Sequence, residues 1–279
     1  MRTLRLLALA AAGALAALVA GAGLTPAAAQ RVPGGVRAVQ ASQPQLLERA
    51  LAELQPTAPD RPSMYFVGFA GYGEEAVFKR EVLAVRQLFD ERFATRGRSV
   101  ALINHRSTLA DTPLANLANL EHVLARLGTL MDRQRDTLFL FLTSHGEKNL
   151  FAVVMRGFRF DHLTPQRLRE VLDRSGIENR VVVVSACHSG SFLPALAGPK
   201  TLVIAAARAD RTSFGCEDKR QWTYFGDAYF NRALRRETSF TRAFEHANAL
   251  ITAWERREKL LPSLPQMAGG EKLPVLGRE

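Results

Sequence analysis

The 279-residue sequence predicts an α/β protein, with helices on both faces of a mostly parallel sheet. Three observations lead there. Short apolar runs alternate with stretches whose apolar residues recur every three or four positions. The short runs are continuously apolar, as in Val181–Val184, which suits strands covered on both faces. They end at glycine or small polar residues, as strands do where they reach the carboxyl-end loops of a parallel sheet.

The elements follow in order. Gln30 to Pro44 is rich in Gly, Pro, Gln and Ala and reads as an extended leader, and Gln45 to Leu54 has helical spacing until Pro56 and Pro59 end it. Ser63–Phe69 is the first strand, Ala70–Gly73 its glycine loop, and Glu74–Phe93 a long amphipathic helix through Val77, Phe78, Val82, Val85, Leu88 and Phe89. Ser99–Ile103 is the second strand and Leu114–Asp132 the next helix; Thr137–Leu142 is the third strand, ending at Thr143-Ser144-His145-Gly146. Leu150–Met155 and Phe158–Phe160, around Arg156-Gly157, suggest a hairpin outside the main sheet. Thr164 and Pro165 open a helix that runs to Ser175-Gly176. The valine run is the fourth strand and Thr201–Ala207 the fifth. A last amphipathic helix, capped by Ser239, carries Phe240, Phe244, Ala247, Ile251 and Trp254. Beyond it Pro262, Pro265, Gly269-Gly270 and Pro274 break regular structure. Residues 63–260 therefore form the expected domain, residues 30–62 a leader with a short helix, and residues 261–279 a tail.

Residues 1–29 read separately. Met1–Arg5 is a basic head, Leu6 to Leu24 an apolar run, and Ala27–Ala29 a small-residue cleavage site, the three-part order of a secretory signal peptide. The expectation is an exported protein, periplasmic or secreted, with no further stretch able to span a membrane. Removing Arg2 and Arg5 lowers the formal charge from +10 to +8. The remaining arginines are scattered and no standard nucleic-acid motif is present, so nucleic acid is not the expected partner. Only Cys187 and Cys216 are available as cysteines, too few for a disulfide framework; Cys216 is expected to stay free, as a buried or pocket-side thiol.

Two strands end in reactive residues. His145 follows the third and Cys187 the fourth, and if those strands are neighbours both sit on one sheet edge, within reach of one substrate. A cysteine nucleophile needs a partner for its thiolate and a proton donor for the leaving amine, and histidine supplies both. Gly146 lets its backbone N–H approach a carbonyl oxygen and, with the N–H of Cys187, form an oxyanion hole. His145, His162, Cys187 and His188 show no paired zinc spacing, so neither metal nor cofactor is expected.

Apolar strand, Ser-His-Gly, a gap of about forty residues, apolar strand and Ala-Cys-x-Ser-Gly-Ser together resemble the legumain (asparaginyl endopeptidase) family of caspase-like cysteine peptidases. Gly226-Asp227 extends the resemblance, which covers residues 63 to 260. It implies a caspase-like three-layer α/β/α sandwich and an endopeptidase acting on peptides or proteins through a Cys187 thioester. His145 would be the catalytic histidine, and Gly146 and Cys187 the oxyanion donors. It also implies cleavage after Asn or Asp in a pocket formed by Lys79, Arg80, Glu217 and Asp218, with Ser185 where the family has an acid, a departure from the pattern. The alternatives are a transpeptidase or ligase using the same site, or a non-catalytic module of the same fold.

Overall fold

The computed structural model describes residues 34–57 and 59–274, which fall in one compact unit. The segment read as a signal peptide lies outside the described residues. The central sheet has six strands in the order β2-β1-β3-β6-β7-β8: β1 Met64–Ala70, β2 Ser99–Ile103, β3 Thr137–Thr143, β6 Arg180–Ser185, β7 Thr201–Ala205 and β8 Gln266–Ala268. All pairings are parallel except that of β8 with β7. The continuous apolar runs are buried along their whole length in β1, β2, β3 and β7, as expected for strands covered on both faces.

Side-chain alternation divides the strands between two cores. Tyr65, Val67, Leu140, Val182 and Val184 face α1 (Gly34–Ala52), α3 (Leu117–Leu130) and α4 (Pro165–Arg174). Phe66, Phe139, Phe141, Val181 and Val183 face α2 (Ala76–Arg92), a π-helical stretch at Asp227–Ala233 and α7 (Phe240–Glu258). The four valines of the run are fully buried, worth about 1.5–3 kcal/mol each in apolar surface removed from water. The result is an α/β/α sandwich with a mostly parallel sheet.

Three expectations need correction. The stretch read as an extended leader is helical from Gly34, with Pro44 inside α1; the buried residues Leu46, Leu47 and Leu51 on the later turns anchor it to the core. The hairpin forms earlier than expected, between β4 (Gly146–Glu147) and β5 (Leu150–Phe151), because Asn149 takes the positive φ (63°) its tight turn needs. Val154, assigned to that hairpin, instead bridges to Tyr72. Regular structure also continues past Pro262: the Ser263 N–H donates to buried Glu255 of α7, and the chain returns as β8 on the sheet edge.

Shorter elements complete the chain. After β6 come a 3-10 turn at Ser189–Phe192 and α5 (Leu193–Leu196); α6 (Tyr224–Gly226) precedes the π-helical stretch. Caps read from the sequence hold: Thr164 Oγ1 accepts from Arg167 N and Ser239 Oγ from Arg242 N.

Candidate active site

Strand register builds the site. β3 and β6 pair in parallel with Thr143 opposite Ser185, and the pairing runs out with Ser144 N donating to Ser185 O at 3.2 Å. His145 and Cys187 each stand two residues beyond that last pair. Side chains alternate, so both belong to the parity of Phe141 and Val183, the set that faces the α2 layer. Gly146 closes the link between them: a Cβ there would lie 2.6 Å from the Cys187 carbonyl oxygen and 3.0 Å from Ala186 Cβ. Glycine is what lets the backbone after the histidine approach the backbone at the cysteine.

The histidine is held on several sides. Its Nε2 lies 2.9 Å from a carboxylate oxygen of Glu75, the residue just before α2. A carboxylate only accepts, so Nε2 carries the proton and Nδ1 is the nitrogen left for a substrate. Tyr72 and Phe78 meet the imidazole edge-on, with centroids 4.6 and 5.2 Å away. The spacing that made Phe78 part of an amphipathic helix thus also places it against the histidine.

Cys187 is half-buried and free, as is Cys216. Its Sγ receives the Ser213 N–H at 3.3 Å and lies 3.6 Å from the Ser213 carbonyl oxygen. The turn after it is made by His188 in the left-handed conformation (φ 55°), whose N–H donates to Arg211 O. The segment after β7 therefore folds back over the thiol. Burial pushes the Cys216 thiol up to about 12, with Cys187, Glu81 and Glu75 adding negative potential.

The residues expected to form the pocket stand in different situations. Arg80 donates to the backbone carbonyls of Asp218 and Arg220, and the Asp218 carboxylate accepts the Ala76 N–H at 2.6 Å. Ser185 is buried, with its hydroxyl 3.4 Å from Thr223 Oγ1. Lys79 donates to Ser107 Oγ at 2.9 Å, and Glu217 is exposed, 3.7 Å from Arg220. A cavity of about 380 Å³ next to Glu75 is lined by Glu74, His105, Arg106, Met155, Arg156 and Asp218. Burial, then Lys79 and Arg106, hold the His105 imidazole below its usual range. Another cavity, about 400 Å³, lies far from this edge, where Thr137 starts β3 and Ser239 caps α7.

Sequence reasoning missed Glu75, Glu81 and Ser213. Glu81 sits on α2 at the spacing of its buried residues, three after Phe78 and four after Val77, so an acid within an apolar stripe was the available signal. Ser213 acts through its backbone and left no signal. Among the described residues no group of three or more His, Cys, Asp or Glu could hold a metal ion, and no helix is long and apolar enough to cross a membrane.

Comparison with known proteins agrees with this architecture. Caspase-1 from Spodoptera frugiperda superposes with a TM-score of 0.55 at 11% identity, covering 81% of this chain and 92% of that one, a likeness of fold. No curated protein matches the sequence. The profile of the Peptidase C13 family matches residues 117–271, more than half of the chain and the part that holds both His145 and Cys187. With the caspase fold beneath that match, the chain belongs to the Peptidase C13 family, the legumain-like cysteine peptidases.

Proposed function

We propose that the protein is an endopeptidase in which Cys187 is the nucleophile and His145 the general acid and base. The Cys187 thiol gives its proton to His145 Nδ1 and its sulfur attacks the scissile carbonyl carbon while the oxygen, gaining charge, meets the N–H groups of Gly146 and Cys187. The C–N bond breaks as His145 Nδ1 gives its proton to the leaving amine, and a thioester remains. Water, losing a proton to the same nitrogen, then attacks the thioester; the C–S bond breaks, the peptide acid leaves, and Nδ1 returns its proton to the sulfur to restore the thiol. Glu75 holds the imidazole in the tautomer that leaves Nδ1 toward the substrate. The observation that carries this reading is the register of β3 and β6, which sets both residues two beyond a paired strand end on one face.

For the residue before the scissile bond, Asn or Asp is the proposal. Among Lys79, Arg80, Ser185, Glu217 and Asp218, the side chains of Arg80 and Asp218 bind backbone and Ser185 is buried. Lys79, on Ser107 Oγ, and exposed Glu217, 3.7 Å from Arg220, are the side chains of the set whose partners a substrate can displace. Export, resting on the basic head, apolar run and Ala27–Ala29, completes the proposal.

A peptide library incubated with the protein tests this. Cleavage after Asn or Asp is expected from the wild type and none from Cys187→Ala, with cooperative thermal unfolding retained. Cleavage that survives in Cys187→Ala removes Cys187 from the chemistry. Adding an amine peptide separates hydrolysis from acyl transfer, since a joined product appears only if the amine competes with water for the thioester.

A further inference from the structure

Glu81 is a fully buried carboxyl group to which the reaction above gives no task. Its surroundings are specific. Thr143 Oγ1, on the last residue of β3, donates to Oε2 at 2.7 Å. Thr223 Oγ1 and Thr223 N donate to Oε1 at 2.7 and 3.1 Å, and Thr223 Oγ1 in turn accepts the Gly226 N–H at 3.0 Å. A Cβ on Gly226 would overlap the carboxylate, so a glycine is required where the chain passes over it. Ser185 Oγ, on the last residue of β6, lies 3.4 Å from Thr223 Oγ1. One side chain thus joins α2 to the end of the strand that presents the histidine and, through Thr223, to the end of the strand that presents the cysteine.

Thr223 also closes the segment that covers the thiol. That segment runs from Ser213, whose backbone touches Cys187 Sγ, through Cys216 to Thr223, and Tyr224 N donates back to Phe214 O at 3.0 Å. The α2 helix holds it at three places: Ala76 N on the Asp218 carboxylate, Arg80 on the carbonyls of Asp218 and Arg220, and Glu81 on Thr223. Of these three, only Glu81 is wholly out of water, where a lost partner leaves unpaired polar groups behind. An Asp218 or Arg80 contact can be exchanged for solvent.

We propose that Glu81 is a positioning residue, a buried latch that fixes the segment Ser213–Thr223 against the two catalytic strand ends and so keeps the Ser213 backbone on the Cys187 thiol. It does not touch substrate. The proposal deepens the peptidase reading for the activity it expects, but the latch itself can be read without any substrate, through Cys216 on the same segment.

The test is alkylation of the full chain by iodoacetamide with peptide mapping, read beside hydrogen exchange of the β1 and β3 amides. In the wild type Cys216 should stay unmodified. Glu81→Ala should expose Cys216 to modification while β1 and β3 amides stay protected, which marks a local opening rather than unfolding. In the double variant Glu81→Ala with Ser185→Glu, a carboxylate placed beside Thr223 from the other side should restore the protection. On a cleavable peptide, Glu81→Ala should lose roughly 10²-fold in kcat/KM, the scale of a misplaced catalytic group. Should Glu81→Ala not fold, Thr223→Val removes the hydroxyl while keeping the side-chain shape, and the same opening is expected. Cys216 protected in Glu81→Ala or in Thr223→Val overturns the latch, as does a double variant no better protected than the single one. A wild type that cleaves no peptide fails the peptidase reading alone and leaves the labelling result to decide the latch.

Discussion

At the scale of single residues, the site works through what each side chain is denied. His145 has one nitrogen occupied by Glu75 and its ring edged by Tyr72 and Phe78, so only Nδ1 is left to move a proton. The orienting role of Glu75 has a graded consequence. Glu75→Gln keeps an acceptor for the Nε2 proton and should lose less than Glu75→Ala, which removes it. For Glu75→Ala a fall in kcat of about 10–10²-fold is expected, below the full 10²–10⁴-fold of an acid–base group because only its orientation is lost, with KM nearly unchanged. Steady-state kinetics of the two variants checks this, and equal losses would show that the carboxylate does not act by holding the tautomer.

The α2 helix is the element that organises the centre, because the residue capping it, Glu75, holds the imidazole and its first two turns carry Phe78 on the imidazole, Arg80 on the covering segment and Glu81 on Thr223. Burial, working against the Thr143 and Thr223 hydrogen bonds, raises the Glu81 carboxyl above its ordinary value of 4.5. The sign of the stability effect follows. Below pH 4.5 both folded and unfolded chains hold the proton; above it the unfolded chain releases it first, so the wild type loses stability as pH rises until the folded carboxyl ionises too. Glu81→Gln lacks that titration. Thermal unfolding of both proteins from pH 4 upward should show the gap moving in favour of the glutamine variant, and a gap independent of pH would contradict the raised value. The same helix shows how far the sequence was legible. Its existence and buried face followed from the period of Val77, Phe78, Val82 and Val85, whereas the work of Glu75 and Glu81 did not, since an acid gives its partner away only once distant strands are in place. Arg80 donates to backbone carbonyls of the segment that α2 grips, whereas the Asp218 side chain, on that segment, accepts from the backbone of α2 and lines the cavity beside it.

For the molecule as a whole, the sheet order does the bringing together. Strands β3 and β6 are adjacent although the hairpin and α4 separate them in sequence, and that adjacency, expected from two reactive residues at strand ends, sets His145 and Cys187 on one edge. The continuously apolar strands and periodic helices make the α/β class readable from the sequence. The first half of α1, before Gln45, and strand β8 were not readable, because Pro44 and the prolines after Glu258 are local breakers that tertiary packing overrides. The central claim is that this edge forms a thioester on one of two thiols. Mass spectrometry of the protein reacted with an electrophilic peptide probe tests it most directly: one adduct is expected, on the peptide containing Cys187, with Cys216 unmodified and no adduct in Cys187→Ala. A probe that leaves Cys187 unmodified, or that labels Cys216 instead, would contradict it.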